Sequence, residues 1–212
     1  DILRLHQGMS KKQAYEKALE MLRKVRIPAP EKVIEDYPHQ LSGGMRQRVM
    51  IAMALACNPG ILIADEPTTA LDVTIQAQIM HLLRDLKKES NTSIILITHD
   101  LGVVAEIAEN VMVMYAGQAV EYAPVKPIFK EPLHPYTQGL LKSLPVLGEE
   151  KDSLYSIKGN IPSPKDYPKG CRFAPRCDQA CEKCTLEQPP LVTLADGRKV
   201  RCWKYAGGEQ NG

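Results

Sequence analysis

The chain has 212 residues, of which 44% are hydrophobic and 25% are charged, a composition that excludes wholesale disorder. Its 27 Lys and Arg residues against 25 Asp and Glu residues give a formal net charge of +2, too small to indicate nucleic acid as the main partner. No apolar run approaches the roughly 18 residues of a membrane-spanning helix, and the first residues lack the basic-then-apolar order of a signal peptide. We therefore expect a soluble, cytosolic protein.

Helices and short apolar strands alternate along the first half of the chain. Ser10 and Gln13 form a capping-box pattern before an amphipathic helix, which should stop at the prolines Pro28 and Pro30. The continuous apolar runs are typical of strands covered on both faces. The pattern predicts an α/β fold with a largely parallel sheet. The further predicted elements are helices at 43–56, 72–86 and 101–108, strands at 61–64 and 93–98, and a hairpin with strands at 111–115 and 118–121.

The sequence changes character after Glu121. Prolines recur between 124 and 145, and we expect one helical piece near 137–143. From Pro145 onward we expect loops, turns and a cysteine-rich segment. The boundary between a core domain and an appendage is therefore predicted at 123–150.

Three short motifs suit phosphate chemistry. A turn at Ser42-Gly43-Gly44 opens a helix, where backbone N–H groups and a hydroxyl can meet a phosphate. Asp65 and Glu66 follow a buried strand, at the sheet edge where α/β proteins bind ligands. Asp65 is suited to Mg²⁺, and Glu66 to orienting or deprotonating a water. His99 follows the next strand and can donate a hydrogen bond to a phosphate.

Each of these features also has an ordinary structural explanation. A Ser-Gly-Gly sequence before a helix is most often a simple cap. An Asp-Glu pair after a strand is often a solvated turn, and a single histidine is more often structural than catalytic. Their occurrence in this order and spacing favours phosphate chemistry over these alternatives.

In order, these segments resemble the nucleotide-binding subunit of an ABC transporter. The matching segments are Leu41–Met45 (signature loop), Ile61–Pro67 (Walker B strand), Thr69–Asp72 (D-loop) and Thr98–Asp100 (switch histidine). The resemblance implies two subunits that close head to tail over two ATP molecules. Ser42, Gly43 and Gly44 would contact the ATP held by the partner, and Asp72 would lie at the interface. Asp65, Glu66 and His99 would serve this chain's own ATP.

Two family motifs have no counterpart in the 212 residues. No segment matches G-x-x-x-x-G-K-[ST], the phosphate-binding P-loop, and the glutamine loop is also missing. Met45 replaces the commoner glutamine of the signature, with little expected consequence. We expect the chain to be part of a longer ATPase that neither binds ATP tightly nor hydrolyses it alone.

The later motifs narrow the resemblance to importers of oligopeptides and dipeptides. They are His134-Pro135-Tyr136-Thr137, Gly159–Pro164 and Gly170–Cys177. This resemblance implies a translocase-type ATPase at the cytoplasmic face of the membrane. Its partners would be a second ABC ATPase subunit, two permease subunits and, indirectly, an extracytoplasmic peptide-binding protein, with no nucleic acid.

Five of the six cysteines lie between 171 and 202, and four of them form the pattern C-x5-C-x6-C-x17-C. Such thiolates can hold Zn²⁺ or an iron–sulfur cluster, and spacing alone does not decide between them. The importer resemblance implies a [4Fe-4S] cluster on Cys171, Cys177, Cys184 and Cys202, with Zn²⁺ as the alternative. Cys181 is a spare thiol or a replacement for Cys184. Disulfides are a further alternative, and Cys57 is expected mid-helix in the core.

The resemblance divides the chain into four segments. We expect the helical subdomain with the signature helix at 1–58 and the Walker B and switch-histidine part of the core at 59–123. Connecting helices at 124–150 and the cysteine region at 151–212 follow. Alternative functions are a non-catalytic adaptor that supplies only its signature loop, and a DNA-repair or ribosome-associated ABC ATPase with a metal site.

Overall fold

The computed structural model describes residues 1–69, 71–89, 92–144 and 155–206. The chain divides into two compact units, the first comprising Asp1–Val103 and the second beginning at Val104. Within the described residues, no helix is long and apolar enough to cross a membrane.

The first unit combines helices with a two-stranded sheet. The strands β1 and β2 pair in parallel, with Ile63 opposite Ile95 and Asp65 opposite Ile97. The last helix, α6, runs across the boundary between the units. The helices are α1 (Ile2–Gln7), α2 (Lys11–Lys24), α3 (Pro30–Val33), α4 (Gly43–Leu55), α5 (Val73–Glu89) and α6 (Leu101–Ile107), and the strands are β1 (Ile61–Asp65) and β2 (Ser93–Ile97).

The predicted capping box at the start of α2 is confirmed. The Gln13 N–H donates to Ser10 Oγ at 3.3 Å, and the Ser10 N–H donates to Gln13 Oε1 at 3.0 Å. The helix ends at Lys24, before the two prolines, and Arg26 takes a left-handed conformation with φ 61°. The chain therefore leaves the helix earlier than the prolines require.

The helices α2, α4 and α5 supply the core of the first unit. Each buries one apolar stripe, as expected for amphipathic surface helices, and α4 lies against both of the others. At the end of α2, Val25 has no exposed surface, and neither has Ile79 in α5. The other buried side chains are Met21, Leu22, Ile51, Leu55, Leu82, Leu83 and Leu86.

The two parallel strands are covered on one face only, contrary to prediction. Leu62 is buried, whereas Ile61 is 60% and Ile63 is 65% exposed. Ile95 and Ile97 of β2 are also about half exposed, at 50% and 49%. The continuous apolar sequence therefore predicted the two strands correctly. It did not predict that one face of each strand is left exposed by the rest of the described chain.

The second unit contains an antiparallel sheet in the order β3-β4-β6-β5. The predicted hairpin is confirmed: β3 and β4 meet at Ala116 and Gly117, whose φ angles of 47° and 77° suit a tight hairpin turn. Parallel pairing is thus confined, among the described strands, to β1 and β2. The strands are β3 (Asn110–Tyr115), β4 (Gln118–Pro124), β5 (Val192–Thr193) and β6 (Lys199–Val200), and the helices are α7 (Val125–Lys130), α8 (Pro135–Lys142), α9 (Glu182–Leu186) and α10 (Trp203–Ala206).

The segment predicted to consist of loops is tied to the hairpin by pairing and packing. β6 pairs with β4, placing Val200 opposite Glu121. Phe173 is buried against Tyr115 and Tyr136, with ring centroids 5.2 and 5.5 Å apart. The recurring prolines led to one predicted helical piece, near 137–143, whereas the structure also contains α7, which includes Pro127. Pro127 lies in the first turn of α7. Backbone N–H groups of a first turn make no hydrogen bond within the helix, so a proline, which lacks this group, is tolerated there.

Some predicted features lie outside the described residues. These are Ala70 of the predicted D-loop, residues 145–150 of the predicted domain boundary, and residues 151–154 and 207–212 of the predicted cysteine region. The division into four segments stays a prediction.

Candidate functional site

Glu66 and His99 meet at the carboxyl ends of the parallel strands. Glu66 follows β1 directly, His99 lies two residues beyond β2, and the Glu66 N–H donates to the Ile97 carbonyl at 2.9 Å. His99 Nδ1 lies 2.9 Å from Glu66 Oε1. Since a carboxylate only accepts hydrogen bonds, Nδ1 carries the proton of this contact and Nε2 remains for another partner. Parallel pairing thus brings the two predicted catalytic residues together.

A threonine binds the other oxygen of the same carboxylate. Thr69 Oγ1 donates to Glu66 Oε2 at 2.7 Å. The Thr69 hydroxyl, and after it the His99 ring, lower the pKa of Glu66 below its ordinary value, because both hydrogen bonds favour the charged form. Glu66 is therefore an ionised carboxylate, with both oxygens oriented by neighbours.

A small cavity of about 230 Å³ opens beside this pair. Asp100 lies at its wall, where its carboxylate accepts the N–H groups of Gly102 and Val103 and the side-chain amide of Gln76. Partial burial by itself would raise the pKa of Asp100. The three hydrogen bonds favour the charged carboxylate, and the pKa is lowered overall. The cavity is lined by Glu66, Thr68, Thr69, Leu71, Gln76, Thr98, His99 and Asp100.

The other predicted phosphate residues do not line this cavity. Ser42 caps α4, where its Oγ accepts the Met45 N–H at 3.3 Å and keeps its own proton available for donation. An added Cβ on Gly44 would lie 2.8 Å from Ile75 Cγ2, so a larger residue there would collide with α5. Asp72 Oδ1 accepts the Ile75 N–H at 2.9 Å. These residues form a surface of their own at the starts of α4 and α5.

Asp65 is exposed at the end of β1. It ends β1, opposite Ile97, and its side chain forms no hydrogen bond or ion pair with the described residues. An oxygen ligand without an internal partner fits a hard cation such as Mg²⁺.

Two family models match this chain. The model described as ABC transporter matches residues 3–69, and the model described as Oligopeptide/dipeptide transporter, C-terminal region, matches residues 120–184. The oligopeptide transport ATP-binding protein AppD of Bacillus subtilis is 58% identical over 213 residues, which is 100% of this chain and 65% of that protein. The chain belongs to the oligopeptide/dipeptide ABC transporter ATP-binding family.

Further relatives agree with this membership. The oligopeptide transport ATP-binding protein OppD of Salmonella typhimurium is 54% identical over 96% of this chain and 61% of its own length. The dipeptide transport ATP-binding protein DppD of Escherichia coli is 52% identical over 95% of this chain and 62% of its own length. The chain thus spans about 60 to 65% of the length of these family members. The family assignment supports the importer interpretation and not the adaptor, DNA-repair or ribosome-associated alternatives.

The prediction of an iron–sulfur cluster in this chain is wrong. Among the described residues, no group of three or more His, Cys, Asp or Glu side chains is placed to hold a metal ion. This finding overturns the [4Fe-4S] prediction for Cys171, Cys177, Cys184 and Cys202, and the Zn²⁺ alternative with it. All six cysteines are free thiols, so the disulfide alternative is also wrong. Cys57 is half-buried in a turn after α4, not within a helix of the core.

Five of the six thiols instead line a cavity of about 440 Å³ in the second unit, together with Phe173 and Trp203; they are Cys171, Cys177, Cys181, Cys184 and Cys202. Burial raises the pKa of Cys177 to about 11 and also raises the pKa of Cys202, so both free thiols are protonated near neutral pH. The close thiol contact is a different one: Cys181 Sγ lies 3.4 Å from Cys184 Sγ. The spacing therefore identified cysteines that line one cavity, but not a metal site.

Sequence reasoning missed two members of the carboxylate site. Thr69 was included in the predicted D-loop but was given no role at Glu66, and Gln76 belongs to no predicted motif. The available signal for Thr69 was its position three residues after Glu66, the spacing at which a turn brings side chains together. For Gln76 no such signal existed, since its partner Asp100 lies in another element.

Proposed function

We propose that this chain belongs to the ATP-binding and ATP-hydrolysing subunit of an ABC importer for dipeptides or oligopeptides. The observation that carries the proposal is the 2.9 Å contact between Glu66 and His99 at the ends of two parallel strands. It is made by a chain that is 52 to 58% identical to peptide transport ATP-binding proteins. The substrate of the site is ATP, and the reaction is hydrolysis of its terminal phosphate.

Glu66 acts as the general base. Its ionised carboxylate takes a proton from the attacking water, and one lone pair on each oxygen remains for that water after the bonds to Thr69 and His99. His99 keeps Nε2 available for the terminal phosphate of ATP, because its Nδ1 is already bonded to Glu66. Asp65 would hold the Mg²⁺ that accompanies the nucleotide, and such an ion would supply positive charge beside the phosphates.

The starts of α4 and α5 serve the second subunit. Ser42, Gly43 and Gly44 offer a hydroxyl and backbone N–H groups at a helix start, which suits a phosphate held by a partner ATPase subunit. Asp72, exposed at the start of α5, lies at the subunit interface. Two subunits, identical or related, would close head to tail in this way.

The complex that we propose includes two permease subunits and, indirectly, an extracytoplasmic peptide-binding protein, with no nucleic acid. The ATPase subunit would lie at the cytoplasmic face of the membrane as a peripheral protein. Residues 1–58, 59–123, 124–150 and 151–212 would be its helical subdomain, core part, connecting helices and cysteine-rich region.

The test is ATP hydrolysis by the protein produced from its native reading frame, assembled with its permeases in liposomes. We expect turnover stimulated by peptide with its binding protein. Glu66→Gln should lower kcat at least about 100-fold while ATP binding persists, because only the base is lost. The matched control is Glu16→Gln, at an exposed glutamate of α2. Full turnover by Glu66→Gln, or no turnover by the wild type, would contradict the proposal.

A further inference from the structure

The Glu66 carboxylate is held from two sides, and one of the two partners is a residue without an assigned role. We propose that Thr69 is a positioning residue, whose hydroxyl, together with His99, holds the Glu66 carboxylate in the orientation that accepts a proton from water. The inference rests on the proposed function and deepens it, because it concerns the same carboxylate.

The two hydrogen bonds reach different oxygen atoms. Thr69 Oγ1 donates to Oε2 at 2.7 Å, and His99 Nδ1 donates to Oε1 at 2.9 Å. The carboxylate therefore cannot rotate about its terminal bond without breaking both contacts. If His99 were the only partner, the carboxylate could rotate more freely. The lone pair that accepts the proton from water would then no longer have a fixed orientation.

The turn that brings Thr69 back is built by the backbone, independently of the hydroxyl. The Thr69 N–H donates to the Glu66 carbonyl at 3.1 Å, and the Glu66 N–H donates to the Ile97 carbonyl at 2.9 Å. Glu66 itself takes φ 44°, a left-handed conformation that is uncommon for a residue with a side chain. These bonds persist when the hydroxyl is removed, so substitution of Thr69 tests orientation and not folding.

The exposure of the site argues that the Thr69 hydrogen bond serves orientation more than stability. The side chain of Glu66 is 44% exposed and that of His99 is 82% exposed. At exposed positions water competes for the same donors and acceptors, so such a bond adds little to the free energy of folding. Its main effect is on where the carboxylate points.

The experiment compares Thr69→Val, Thr69→Ser and the control Thr193→Val in the assembled ATPase from the native reading frame. Valine keeps the shape of threonine without the hydroxyl, and serine keeps the hydroxyl. Thr193 is an exposed threonine in β5, outside the site. We expect Thr69→Val to lower kcat about 10-fold with KM for ATP within about twofold, because orientation affects the chemical step. Serine should restore kcat, and Thr193→Val should match the wild type.

A second measurement separates this inference from the proposed function. The ¹³C resonance of the Glu66 carboxyl group, measured by NMR at pH 7, should move in Thr69→Val and stay in place in Thr69→Ser. An unchanged resonance in Thr69→Val, or a changed resonance with unchanged kcat, would overturn the positioning role of Thr69. The proposed ATPase function would not be affected by either result. A wild type without turnover would overturn the proposed function, and the two failures are thus distinguishable.

Discussion

Inside the second unit, the carboxylate of Glu121 accepts the backbone N–H of His134 at 2.9 Å. Its other oxygen accepts the N–H of Leu133 at 2.8 Å. Glu121 has no exposed surface, and His134 is 1% exposed. A buried acid in β4 thus accepts from the two donors at the entrance to α8, of which the His134 N–H is buried and the Leu133 N–H is part-buried.

Replacing this acid should destabilise the second unit. Glu121→Ala leaves both N–H groups without this partner, and each donor left unsatisfied costs about 1 to 3 kcal/mol, so we expect a loss of about 3 kcal/mol. Urea unfolding followed by the fluorescence of Trp203, which lies in the same unit, measures it. The control Glu131→Gln, at an exposed glutamate, should change stability by less than about 0.5 kcal/mol. Equal stability of the two variants would contradict the prediction.

The buried His134 should make the second unit sensitive to acid. Burial lowers the pKa of His134 from 6.5 to about 4. The unfolded chain therefore takes up a proton near pH 6.5, whereas the folded chain takes it up only near pH 4. Between these values unfolding binds a proton, so the free energy of unfolding falls as the pH falls, by about 3 kcal/mol in all, and levels off below pH 4.

The variant His134→Asn isolates this titration. His134 Nδ1 accepts the Tyr136 N–H at 3.0 Å, and an asparagine oxygen can take over this acceptor role without binding a proton. Urea unfolding at several pH values should show a flatter dependence between pH 4 and 6.5 for the variant than for the wild type. The comparison uses slopes, since the smaller side chain also lowers stability at every pH. Parallel slopes would show that His134 does not titrate as described.

Sequence reasoning succeeded where partners are close along the chain or meet by a general rule of topology. The capping box of Ser10 and Gln13 and the turn at Ala116 and Gly117 depend on neighbouring residues alone. The meeting of Glu66 and His99 followed from a different rule, that the carboxyl ends of parallel strands share one edge. For both reasons these features could be predicted without knowledge of the packing.

Other features depend on contacts that no local pattern records. Glutamate is rarely buried, so nothing about Glu121 indicated that it would meet His134 in the interior. The exposed face of Ile61 and Ile63 shows the opposite failure, since apolar residues predict a strand but not what covers it. The metal prediction failed because spacing grouped cysteines that line one cavity but did not show whether three of them come together closely enough to hold an ion.

Gly170 is a position where a single methyl group should be costly. A Cβ added there would lie 2.2 Å from the Cys184 carbonyl oxygen, which accepts the Cys171 N–H at 2.8 Å. Because the obstructing atoms belong to the backbone, Gly170→Ala should lose about 3 kcal/mol of stability, measured by urea unfolding followed by circular dichroism, which reports on both units. Gly60→Ala is the matched control, since an added Cβ there meets nothing within 4 Å. A Gly170→Ala protein as stable as this control would refute the close approach.

The thiols around the cavity should react in a defined order. Cys181 is exposed, and hydrogen bonds from Cys184 lower its pKa, whereas burial raises the pKa of Cys177 to about 11. Only thiolates are alkylated, so at pH 8 iodoacetamide should modify Cys181 about 100-fold faster than Cys177. Mass spectrometry of peptides from timed samples measures both rates. In urea the two thiols should react alike, because the difference arises from the fold; similar rates in the folded protein would show that neither thiol has the environment described.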